Sequence, residues 1–130
     1  MIRLATDKDG PRIGELVQQN GFQVSELDWS EVAPWWLVSV EEQKITGAIQ
    51  ICPGKPTGRL EMLSVDPGLD PMPKARTVKE LVEQGSATLA MGGSQIAIGV
   101  IPFEMKSYKR LLKRRGTVVI SSGNVMAKRL

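Results

Sequence analysis

Few side chains in this chain can do chemistry, because it contains no histidine. That absence removes Ser-His and Cys-His nucleophile pairs and every imidazole metal ligand. A metal would need carboxylates alone, and no Asp-x-Asp-x-Asp-Gly loop is present. A general acid or base must therefore be Glu, Asp, Lys, Tyr, Cys or a chain of water. Cys52, the lone cysteine, has no histidine to activate it and is expected as a small buried residue near a strand end. It forbids an intrachain disulfide and fits a reducing compartment. Lys74 and Arg76 could grip a phosphate through charged hydrogen bonds. The basic run Lys106, Lys109, Arg110, Lys113, Arg114 and Arg115 could also meet phosphate, or form an ordinary solvated helix face. Trp29, Trp35 and Trp36 could line a pocket or an oligomer interface, or pack as core.

These groups need a scaffold, and the chain has the length for one. Its 130 residues fit a single domain, 1–130. A hydrophobic fraction of 42% and a charged fraction of 24% are those of a soluble globular protein. No apolar run approaches the ~20 residues that span a bilayer, and no charged-then-apolar leader opens the chain. A cytoplasmic protein with no membrane partner is expected. The net charge of +3 is modestly basic.

Along the chain, residues 2–5 predict a short strand. Pro11, Ile13, Leu16 and Val17 predict a helix stopped at Asn20-Gly21. Residues 35–40 and 45–51 predict a hairpin. The turn Pro53-Gly54-Lys55-Pro56-Thr57-Gly58 leads into a central strand from Arg59 to Val65. A proline-rich loop over 66–73 then delivers the chain to a helix from about Thr77 to Ala90. Gln95 to Ile101 predicts a nearly all-apolar strand, buried on both faces in mid-sheet. Residues 103–115 predict a second long helix, with Tyr108, Leu111, Leu112 and Arg115 at helical spacing. Residues 117–122 and 125–130 predict a terminal hairpin.

The segment Leu63-Ser64-Val65-Asp66-Pro67, closing a strand ahead of a loop and a helix, resembles the heart of the GNAT superfamily of acetyl-CoA-dependent acyltransferases. The opening Arg3-Leu4-Ala5-Thr6, followed by Asp9, is similar to that family's first residues, and the element order matches over nearly the whole chain. The resemblance implies an α/β (α+β) fold, a mixed central sheet flanked by helices. The strands at Arg59 to Val65 and Gln95 to Ile101 would run parallel and splay apart at their C-terminal ends. In the family the loop reads Arg/Gln-x-x-Gly-x-Gly/Ala, and its amides wrap the pyrophosphate of acetyl-CoA. Counting back from Leu81 places Pro73, Arg76 and Val78 at those positions, so the signature is degenerate here. The resemblance then implies phosphate contacts from Lys74, Ala75 and Arg76 and from the amides of Thr77, Val78 and Lys79. It implies an acyl carbonyl held by the backbone of Met62, Leu63, Ser64 and Val65.

The same resemblance casts Glu61 as general base, since a half-buried carboxylate can collect the proton that an ammonium must lose. Pairing with Arg59 at the surface is the alternative. The family's thiolate-protonating tyrosine falls at Leu112, which has no proton to give. Tyr108, about 6 Å earlier along the helix axis, is the candidate in its place; a partly buried packing residue is the alternative. The implied function is acyl-CoA-dependent N-acyltransfer, moving an acetyl group to a small-molecule or protein amine. The rival is a catalytically inactive structural or adaptor protein of the same fold, such as a phage or mobile-element accessory or virion component. A homo-oligomer fits either. Nucleic acid is not the expected partner, because stacking aromatics and a known module are missing.

Overall fold

The computed structural model describes residues 1–22, 32–100, 110, 118–119 and 125–130. Its sheet is built from the hairpin of β2 (Trp36–Glu41) and β3 (Lys44–Cys52) outward. Glu42 and Gln43 make the turn, with φ of 50° and 66°. That left-handed pair has the twist that suits two-residue hairpins. β1 (Ile2–Leu4) lies outside β2, and β4 (Thr57–Val65) lies on the far side of β3, all antiparallel. β5 (Ile96–Val100) joins β4 in parallel. β7 (Val125–Arg129) then pairs antiparallel with β5 and with the edge strand β6 (Val118–Val119). The sheet order is β1-β2-β3-β4-β5-β7-β6. This is the mixed, helix-flanked sheet the sequence implied.

Because neighbouring strand residues point to opposite faces, the sheet feeds two cores. On one face α1 (Gly10–Gln19) buries Ile13, Leu16 and Val17 against Trp36, Val38 and Ala48. On the other α2 (Pro71–Met91) buries Val78, Leu81 and Leu89 against Leu37, Ile49, Leu60 and Val65. α1 ends as its Asn-Gly predicts. Gly21 takes φ of 87°, and the amides of Gly21 and Phe22 bond back to Gln18 and Val17. No described helix is long and apolar enough to cross a membrane.

Two expectations change. α2 starts at Pro71, six residues before Thr77. Prolines read as loop formers, yet the first turn of a helix leaves its amides without intrahelical partners, so Pro71 and Pro73 cost it nothing. β5 is central but not buried on both faces: Ala97 is 5% exposed and Ile96 37%. Of the last long helix, only Arg110, which is helical, lies within the described residues.

Candidate functional site

β4 and β5 pair only from Thr57 with Ile96 to Leu60 with Gly99. Beyond Leu60, β4 continues to Val65 still paired with β3, while Val100 pairs with Val125 of β7. The two parallel strands therefore part at their C-terminal ends, as the resemblance implied.

The parting coincides with a break in β4. Ala48 faces Ser64 and Gln50 faces Glu61, so three steps on β4 match two on β3. The extra residue is a β-bulge, and Met62 within it has φ of 54°, a left-handed value that a non-glycine residue seldom adopts. The Ser64 hydroxyl donates to the Met62 carbonyl at 2.9 Å. One added residue turns the following side chains over. Leu60 before the bulge and Leu63 and Val65 after it all reach the α2 core, whereas Met62 packs on the α1 side.

Past the bulge the amides can be assigned by alternation. The Asp66 amide points to β3, bonding the Thr46 carbonyl at 2.8 Å. The Val65 amide points the other way, to the Asn20 carbonyl oxygen at 3.5 Å, and the Asn20 amide group donates to the Val65 carbonyl at 3.0 Å. Two residues back, the Leu63 amide faces the same side as that of Val65. No described strand pairs with it there. Of the four implied backbone positions, Val65 is thus occupied by Asn20, and the Leu63 amide has no partner strand among the described residues. Asn20, legible in the sequence only as a helix stop, is part of the site's frame; an asparagine at a helix end, able to donate and accept at once, was the available signal.

Glu61 sits where the strands part, its side chain 28% exposed and paired with Arg59 at 3.2 Å. Across the hairpin, Cys52 pairs with Arg59 in register. Burial pushes the Cys52 thiol up from its ordinary range, and the Glu61 charge adds to that, so the thiol stays protonated.

At the mouth of the cleft the loop and first turn of α2 are nearly devoid of free donors. Pro67, Pro71 and Pro73 have no amide hydrogen. Asp66 bonds Thr46, Gly68 donates to the Asp66 carboxylate at 2.8 Å, Leu69 to the Asp66 carbonyl and Lys74 to the Asp70 carbonyl. Among the described residues this leaves only the amides of Asp70 and Met72. The amides of Thr77, Val78 and Lys79 lie inside the helix and belong to its ladder. Thr77 and Val78 are buried, 3% and 0% exposed, and the Thr77 hydroxyl donates to the Pro73 carbonyl at 2.9 Å. Ala75 and Arg76 are exposed and Lys74 is half-buried. At about 100° per residue, Lys74 and Arg76 project about 200° apart around the helix, so they do not converge on one phosphate. Thr77, Val78 and Lys79 thus lie inside α2, past its first turn.

Trp36 is core at 1% exposed, and Trp35 is 49% exposed. Trp29, Tyr108 and Leu112 lie outside the described residues. A groove of about 540 Å³ opens beside the β2–β3 turn, lined in part by Arg12, Lys44, Thr46, Asp66 and Leu69, with no wall from β5. Arg12 is already committed there, to Asp66 at 3.0 Å and Glu15 at 2.8 Å.

No protein-family model matches the sequence, and no curated protein matches it. Solved structures do match. A Mycobacterium tuberculosis protein, Rv2747, solved in complex with CoA, superposes with a TM-score of 0.80 at 14% identity, covering 100% of this chain and 99% of that one. PaiA N-acetyltransferase from Thermoplasma acidophilum, in complex with coenzyme A, gives 0.79 at 12% identity, covering 100% and 98%. N-acetylglutamate synthase from Neisseria gonorrhoeae, complexed with coenzyme A and N-acetyl-glutamate, gives 0.75 at 14%, covering 100% of this chain and 35% of that one. The chain has the fold of the GNAT N-acetyltransferases.

Proposed function

We propose that this chain transfers an acyl group from a pantetheine thioester of the acetyl-CoA kind to an amine, at the place where β4 and β5 part. The observation that carries the proposal is the bulge at Met62, just past the last β4–β5 pair of Leu60 with Gly99, followed by a Leu63 amide on the side away from β3. A non-glycine residue held at positive φ costs backbone strain, and such residues cluster at functional sites. An extended pantetheine arm, with its own amides, suits an unpaired strand edge because it can add to it as a strand does.

In the reaction, the amine nitrogen attacks the thioester carbonyl carbon, the C–S bond breaks and the sulfur leaves with the electron pair. Negative charge gathers on the carbonyl oxygen, where the Leu63 amide would donate to it. Glu61 would collect the proton lost by the amine, directly or through water. Tyr108 is the proposed donor to the departing thiolate. The acceptor is an amine of a small molecule or of a protein.

The test is amine-dependent thiol release by the wild type and by Glu61→Gln. The variant should turn over ~10²–10⁴-fold more slowly near neutral pH. Its deficit should shrink as pH rises and more of the amine is already free. Thioester affinity should not change. A Glu61→Gln chain as fast as wild type removes Glu61 from the mechanism, and no amine-dependent release by the wild type removes the mechanism itself.

A further inference from the structure

We infer that the start of α2 gives the diphosphate of CoA no grip, so that the acyl donor is held through its pantetheine arm. This rests on the acyl-transfer reading and concerns the same site.

A helix N-terminus binds phosphate by offering several unpaired amides and a positive dipole end. Here the offer is withdrawn three times over. Pro71 and Pro73 delete two donors in the first turn of α2. The Asp66 side chain and backbone absorb the Gly68 and Leu69 amides. The carboxylate of Asp70, exposed at the N-cap position, carries like charge to the spot a diphosphate would occupy. The two basic side chains of this helix start do not restore the loss, because Lys74 and Arg76 stand on opposite sides of the helix. The cleft upstream is different. A β4 edge with no described partner strand beyond Leu60, the Leu63 amide and the half-buried Glu61 are all present. The site therefore fits the uncharged arm and its thioester, and does not fit the diphosphate. Donors should be distinguished by the acyl group and arm, with the nucleotide end contributing little.

Calorimetric titration of the full chain with CoA and with pantetheine tests this without any acceptor. The two dissociation constants should agree within about threefold. A diphosphate held by two or more charged hydrogen bonds would instead make CoA at least about a hundredfold tighter. That result overturns the inference and leaves acyl transfer standing. Binding of neither ligand at millimolar concentration overturns both. The cause is tested separately with Pro71→Ala/Pro73→Ala, which returns two amide hydrogens. It should tighten CoA about tenfold while pantetheine binds as before. A CoA-to-pantetheine ratio unchanged from wild type would overturn the role given to the prolines.

Discussion

Asp9 shows how one side chain can tie the start of this chain together. Its carboxylate takes two bonds from the Arg3 guanidinium, at 2.7 and 3.1 Å, and one from the Thr6 amide at 2.7 Å. The Arg3 hydrogen bonds are the main cause holding its pKa below the ordinary carboxylate range, opposed by burial and helped by Thr6. A carboxyl whose folded pKa is depressed stabilises fully above its unfolded value, about 3.9, and loses that contribution as pH falls through the lower folded value. Asp9→Asn should therefore lower stability by about 1–3 kcal/mol near neutral pH. Denaturant unfolding over a pH series should show that gap constant down to about pH 5 and closing below about pH 4. A gap that instead widened with acid would show that the carboxylate is not the stabilising form.

At the scale of elements, α2 is seated on the sheet by close approach at Gly47 in β3. A Cβ built there would lie 2.7 Å from Thr77 Cγ2 and 3.0 Å from Leu81 Cδ1. Gly47→Ala should cost about 1–3 kcal/mol through overpacking. Adding Thr77→Ser removes the offending methyl, keeps the hydroxyl bonded to Pro73, and should return part of the loss in a double-mutant cycle. Additive effects of the two changes would place Thr77 elsewhere. These elements were largely legible in the sequence: Ile13, Leu16 and Val17 at helical spacing marked α1, and residues 35–40 and 45–51 were expected as a hairpin. The start of α2 was not legible, since Pro71 and Pro73 are as suited to a first helical turn as to a loop. The bulge was not legible either. Met62 carries no glycine or asparagine to announce its positive φ, and only the pairing of β3 with β4 reveals the extra residue. In the candidate site, Glu61 could be named from the family resemblance, whereas Leu63 and Asn20 take their meaning from tertiary contact.

The whole molecule is a twice-covered mixed sheet that opens where its one parallel pair among the described strands ends. Everything proposed about function depends on that opening receiving the thioester arm. The two cores hold β4 fixed on either side of its bulge, with Leu60, Leu63 and Val65 anchored under α2 and Asn20 closing the end of the strand from α1. A rigid frame around a few open backbone groups is the arrangement that electrostatic stabilisation of a carbonyl requires. A backbone-amide NMR titration with S-acetylpantetheine tests this most directly, because it needs no acceptor and reads the amides themselves. The largest saturable shifts should fall at Met62, Leu63 and Ser64 and across the cleft at Ile98 and Gly99, with Arg76 and Lys79 unmoved. Shifts concentrated beside Glu42 and Lys44, or none along β4 at millimolar ligand, would contradict the account.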